Sequence, residues 1–200
     1  MTRHILIITA LFTAGLLLPG CGGGKVSRID SDEAVDLSGE WNDTDSRLVA
    51  EEMIRDCMGR PWTEAYASAA KKPTIIVGTV RNKSHEHINV ETFVNDMQRE
   101  LINSGRVTFV ASKTERNDLR EEKMDQETYA SEASKKRLGE EVGADLMLIG
   151  SINTIEDAIE GKRIMYYQTD LELIKVESNE KLWIGTKKIK KYITRKKYKM

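Results

Sequence analysis

Two short, mostly apolar runs constrain this chain more than any other feature. Residues 74–80 (TIIVGTV) and 144–152 (ADLMLIGSI) lack the polar alternation of a strand with one wet face. Runs this short, bounded by Pro73 and by Gly143, read as strands buried on both faces. Such strands need cover, and helical patterns beside them supply it. Val90, Phe93, Val94, Met97 and Leu101 recur at i, i+3, i+4, i+7 and i+11, with Asn89 to cap the start and Asn103-Ser104-Gly105 to close the end. Val49, Met53, Ile54 and Cys57 make a second apolar face on a helix over about Asp45–Met58. Asp43, Thr44 and Asp45 offer its N-cap oxygens, and Gly59 and Pro61 stop it. A short helix over Thr63–Ala70 and a short strand over 106–110 complete the front half.

The back half changes character. From Ser112 to Thr128 both charge signs are dense and large apolar residues scarce, which predicts a solvated excursion of a helical turn or two. A third helix is expected over Tyr129–Val142, with Tyr129, Ala133 and Leu138 reaching the core. Residues 163–176 and 181–193 read as long strands joined at Glu177-Ser178-Asn179-Glu180, with Tyr167, Thr169, Leu171 and Leu173 on one face. The expected fold is α/β: a single domain over about 45–195, its mixed β-sheet of about four to five strands flanked by helices.

The N-terminus has a different purpose. Behind Arg3 and His4, residues 5–18 (ILIITALFTAGLLL) form an uncharged run of 14 residues. As a helix it spans roughly 21 Å, too short for a ~30 Å hydrocarbon core and right for a signal peptide. Leu18-Pro19-Gly20-Cys21 resembles a bacterial lipobox. Residues 1–20 are therefore expected to be a lipoprotein signal, Cys21 the lipidated residue and membrane anchor, 21–44 a flexible tether and 196–200 a basic tail. Gly22 at the sorting position points to the outer membrane, facing the periplasm. Cys57, the second of two cysteines, falls on an apolar helix stripe and reads as a buried small hydrophobe.

Few residues could carry chemistry. His85-Glu86-His87, with Glu91, is the one cluster of metal-ligand residue types; its i, i+2 spacing in a polar loop, with no third His or Cys nearby, argues against a metal site. No glycine-framed serine or phosphate loop is present. No enzyme activity, cofactor or metal is expected, and export excludes a nucleic-acid partner. Charge is strongly segregated. Residues 187–200 hold eight basic residues and no acidic one, so the rest of the chain after the signal carries a net −10. Lys188, Lys190 and Lys191 suit an edge strand kept from aggregating, or a surface attracted to anionic lipid, wall polymer or a partner's acidic face.

With these segments laid out, the chain resembles the LpoB family of lipoproteins that activate penicillin-binding peptidoglycan synthases. The resemblance rests on LSGEWNDTDSRLVAEEM (37–53), PW (61–62), PTIIVGTVRNKSHEHINVETF (73–93), ELINSGRVTFV (100–110), LGEEVGADLMLIGSI (138–152) and LELIKVESNEKLWIGTKKIKK (171–191). Gly143-Ala144-Asp145 leading into Gly150-Ser151-Ile152 is shared with curli-secretion and TolB-type periplasmic domains. The resemblance implies a TolB N-terminal/LpoB-like fold and a monomeric, non-catalytic activator of a class A penicillin-binding protein. The alternative is a structural or assembly lipoprotein of the curli-secretion kind. Known members carry a long Pro-rich tether, whereas residues 21–44 hold no proline. The polar stretch after the first strand, Arg81, Asn82, Lys83, His85 and His87, is the expected partner contact, with Asn82 and Ser84 also suited to holding the turn. Glu115–Lys123 is the second candidate.

Overall fold

Side-chain caps mark where three of the described helices begin. The computed structural model describes residues 26–31, 33–69, 71–131 and 141–194. The chain divides after Glu33; the described part of the first unit holds one turn, Glu33 N–H to Asp30 C=O at 3.2 Å. The described helices and strands lie in the second unit. Helix α1 (Asp43–Met58) opens on a reciprocal cap, in which Asn42 Oδ1 accepts Asp45 N–H and Asp45 Oδ2 accepts Asn42 N–H, both at 3.0 Å. Because Asn42 holds that cap, the helix starts earlier than the sequence suggested. Helix α2 (Trp62–Ser68) follows, tied back by Trp62 Nε1–H donating to Cys57 C=O at 2.8 Å. Cys57 itself is buried, its thiol pushed up to about 12 mainly by that burial, so it packs as an apolar group.

Strand β1 (Thr74–Asn82), helix α3 (Val90–Asn103), strand β2 (Thr108–Phe109), helix α4 (Lys113–Tyr129) and strands β3 (Leu146–Ile159), β4 (Lys162–Lys175) and β5 (Lys181–Thr194) complete the order. The sheet runs β2-β1-β3-β4-β5. β1 is parallel to both neighbours, while β3, β4 and β5 form an antiparallel meander. α1 and α3 pack on each other and on one face of the sheet. Met53, Phe93, Met97 and Leu101 meet Ile75, Leu148, Leu171 and Trp183 there, all buried. Tyr167, Thr169, Leu171 and Leu173 lie on this inner face, as the alternation predicted.

Three expectations change. Burial on both faces holds only for Thr74–Val77; Thr79 is exposed, and Met147 and Ile149 are half-buried beside buried Leu146 and Leu148. The packed helices cover one side, so the outer face of the sheet needs fewer apolar residues. The charged excursion is a 17-residue helix, α4, with no buried residue. Its support is polar: Ser112 and Glu115 form a capping box, and Arg120 grips Glu141, 21 residues on, through two bonds of 2.6 and 2.7 Å. Tyr129 ends that helix and is 85% exposed, so it is no core contact; Ala133 and Leu138 lie outside the described residues.

Asp145 fastens β1 to β3 where their ladder begins. Its Oδ2 accepts the Thr74 N–H at 2.8 Å, its own N–H donates to Thr74 C=O at 2.8 Å, and Lys71 Nζ sits 3.2 Å from Oδ1. Asp145→Ala strands the buried Thr74 N–H and is expected to cost about 1–3 kcal/mol, read as a lower urea midpoint. The Thr74 N–H, and then Lys71, hold the Asp145 carboxyl below the usual carboxylate range. Its contribution is therefore present above the ordinary aspartate pKa and lost as pH falls through the lowered one. The two stability curves converge in acid.

Candidate functional site

The loop between β1 and α3 is built by the chain's own polar side chains. Asn82 Oδ1 accepts the Ser84 N–H at 2.9 Å, and Asn82 Nδ2–H donates to Glu86 C=O at 2.8 Å. Ser84 Oγ accepts the Glu86 N–H at 3.2 Å, and Lys83 N–H donates to Ile152 C=O at 2.8 Å. Asn82 and Ser84 thus hold the turn. Glu86 turns inward: Oε1 accepts the Tyr167 hydroxyl at 2.7 Å and Oε2 the Trp41 N–H at 3.1 Å. Burial, and then Glu86, push the Tyr167 phenol far above its usual range, so it stays a neutral donor. Trp41 stands edge-on to Phe93 and Tyr167, with ring centroids 6.1 and 5.6 Å away. One carboxylate therefore ties the loop, the start of the domain and the centre of β4 together.

A β-bulge decides which side chains the loop presents. Val77 pairs with Leu148 but Val80 with Gly150, so β1 carries one extra residue at Gly78-Thr79. That residue reverses the facing of everything after it, sending Arg81 and Lys83 to the outer face and Asn82 to the inner one. Arg81 and Lys83 line an open groove of about 410 Å³ with Met147, Ile149, Ser151, Asp170 and Glu172. Gly78 keeps its floor clear, since a Cβ there would lie 2.9 Å from Ile149 Cγ2 and 3.0 Å from Met147 Sδ. Asp170 is held by Gln168 Nε2 at 2.9 Å and Thr186 Oγ1 at 2.7 Å, and Glu172 by Lys181 at 2.8 Å. A cationic rim thus faces carboxylates across an apolar floor, a surface suited to a protein partner rather than to bond-making chemistry.

The five expected contact residues therefore separate. Arg81 and Lys83 meet on the groove, and His87 is exposed. His85 lies on the inner side, Nδ1 3.1 Å from Thr154 Oγ1 and Nε2 3.0 Å from Glu156 Oε2, which also pairs with Arg163. Among the described residues no group of three or more His, Cys, Asp or Glu side chains is placed to hold a metal. The sequence reading missed Asp170 and Glu172, although their alternation with Leu171 and Leu173 assigns them to the outer face. Glu115–Lys123 lies on α4 and lines no part of this groove.

The basic strand also separates by face. β5 is an edge strand, but Lys191 is no solvated guard: its Nζ lies 2.6 Å from Asp36 Oδ1 and 2.5 Å from Asp45 Oδ2. Lys187 pairs with Glu52 on α1, while Lys188 and Lys190 face outward and are exposed.

A family model described as peptidoglycan-synthase activator LpoB matches residues 45–189, from the first turn of α1 into β5. The chain belongs to the LpoB family. LpoB proteins are regulatory lipoproteins of the outer membrane that act on peptidoglycan synthases, and the family is not a catalytic one. Among solved structures, the LpoB C-terminal domain from Escherichia coli is 17% identical, with 72% of this chain and 98% of that one covered and a TM-score of 0.43. The corresponding domain from Salmonella enterica is 15% identical over the same shares, 72% and 98%, with a TM-score of 0.41. The NMR structure of E. coli LpoB is 14% identical over 96% of each chain, with a TM-score of 0.40. No curated protein matches the chain. Among the described residues no helix is long and apolar enough to cross a membrane, and Cys21 lies outside them.

Proposed function

We propose that this LpoB-family chain is anchored through Cys21 to the outer membrane and activates a bifunctional, class A penicillin-binding synthase by binding it. The family match over residues 45–189 carries the reading. The partner surface is the β1–α3 loop with the groove beneath it, where Arg81 and Lys83 supply charge and His87 extends the exposed rim. Activation needs no chemistry from this chain. An activator that binds the working conformation of the synthase more tightly than the resting one shifts the population by that difference, and a 1.4 kcal/mol preference is about tenfold.

A reconstituted assay tests this. The purified chain is expected to raise glycan-strand synthesis by its cognate synthase and to make no product alone. Arg81→Glu with Lys83→Glu reverses the rim charge and is expected to weaken activation at least about tenfold, with the melting temperature unchanged because both side chains are solvated. Full activation by that variant removes the groove from the interface. No stimulation of any class A synthase by the unmodified chain overturns the function.

A further inference from the structure

The meander outruns its cover. β1 ends opposite Ile152, yet β3 continues to Ile159 before Gly161 turns the chain into β4. Seven more residues carry the β3–β4 turn roughly 20–25 Å beyond the end of β1. Residues 155–162 are all exposed, so this end has no core to complete. Its outer face is nonetheless apolar. Ile155 is 65%, Ile159 72% and Tyr192 61% exposed, and Ile164 pairs with Tyr192 between them. Lysines border the patch, with Lys162 opposite Ile159 and Lys190 opposite Tyr166. Three carboxylates share this end: Asp157 lies within the patch facing Ile164, Glu160 sits in the turn, and Glu156 is on the other face, paired with Arg163 and His85. β5 then leads into RKKYKM (195–200), with four further basic residues.

The start of the domain comes to this same end. Lys191 Nζ is held by Asp36 Oδ1 at 2.6 Å and by the Glu40 carbonyl at 3.1 Å. Gly39 packs so tightly on Ile193 that an added Cβ would lie 2.3 Å from its Cδ1. The chain leading back towards Cys21 thus leaves from beside the last turns of β5. The fifteen residues from Cys21 to Asp36 reach at most about 50–54 Å when fully extended. Isoleucine and tyrosine ringed by lysine is the composition that settles at a bilayer's headgroup level, and each lysine near an anionic surface adds attraction.

We propose that this end of the domain, the β3–β4 turn with the last residues of β5, lies on the anionic headgroups of the bilayer that holds Cys21. The proposal rests on the lipid-anchor reading above. Ile159, Ile155 and Tyr192 enter the headgroup layer, and Lys162 and Lys190 meet lipid phosphates.

The test uses the chain from residue 21 with Cys21→Ser, so that no acyl chain is present. It is sedimented with vesicles of phosphatidylethanolamine and phosphatidylglycerol, and separately with phosphatidylcholine alone. Binding to the anionic vesicles, weakening with added salt, is expected. Lys162→Gln and Lys190→Gln are each expected to lower the partition coefficient about fivefold, and Ile159→Ser to lower it further, all three leaving the melting temperature unchanged. Failure to pellet with anionic vesicles, equal partition into phosphatidylcholine, indifference to the lysine substitutions, or preference for purified peptidoglycan sacculi over vesicles overturns the proposal. Labelled palmitate absent from Cys21 in cells would instead remove the anchor and leave the vesicle result standing. A labelled Cys21 with no vesicle binding would remove only the docking.

Discussion

Lys191→Met is expected to lower the unfolding free energy by about 3–5 kcal/mol, the range for removing one partner of a buried charge pair. Lys191 is 11% exposed at its side chain, with Asp45 at 9% and Asp36 at 58%. Asp45 also caps α1, so its carboxylate cannot turn away to water without opening the first turn. Burial already raises the Asp45 pKa, opposed by hydrogen bonding from Lys191. Burial pulls the Lys191 ammonium down, but its bonds to Asp36 and Asp45 outweigh that and leave it raised. The signs then set the pH dependence. The lysine's contribution is present below its ordinary pKa and is lost as pH rises through the raised one. Without the lysine, Asp45 is an uncompensated buried carboxylate, and its penalty is relieved as pH falls and it takes a proton. Urea melts of wild type and Lys191→Met should therefore differ most near neutrality and approach each other in acid. A difference that is constant across that range would mean the methionine merely packs badly.

Phe93→Ala comes second, at about 3–5 kcal/mol for an aromatic side chain deleted from a closed core. Phe93 is fully buried and supports the edge of Trp41, which reaches Tyr167 from the other side. The loss is expected to be local as well as global. Trp41 keeps Tyr167 and the bond from its N–H to Glu86 but loses its edge contact with Phe93, so residues 37–42 should loosen before the sheet does. In protein labelled with 5-fluorotryptophan, the Trp41 resonance should move towards its solvent position while those of Trp62 and Trp183 hold. Movement of all three together would mean that this corner unfolds only with the whole domain.

The sequence made some of this architecture plain and hid the rest for identifiable reasons. Helix α3 and the inner face of β4 were legible because Phe93, Met97 and Leu101, and Tyr167, Leu171 and Leu173, repeat at the period of their own element. The bulge at Gly78-Thr79 was not, since one inserted residue leaves no trace in a run that does not alternate. That single residue decides whether Arg81 or Asn82 faces the groove. Glu86 sits between two histidines and looks like a metal ligand; its partners, Trp41 and Tyr167, are 45 and 81 residues away and no local pattern announces them. Helix α4 was shortened because periodicity weighs apolar spacing and this helix has almost none, although Ser112 and Glu115 stood at capping-box distance. The inward direction of Lys187 and Lys191 becomes readable only once Trp183 and Ile189 set the register of β5.

The first helix and the last strand clasp each other. Asp56 accepts from the Trp183 indole at 2.8 Å, Glu52 meets Lys187, and Asp45 meets Lys191, across 127, 135 and 146 residues of chain. Asp56 also has Arg60 four residues on, but the bonds that fasten α1 to the sheet edge all come from β5. A polypeptide emerging N-terminus first therefore carries an unlatched helix until its final stretch is delivered, and the latch shuts only behind the whole length. Helix α1 can pack on α3 before that, but its bonds to β5 wait for the last strand.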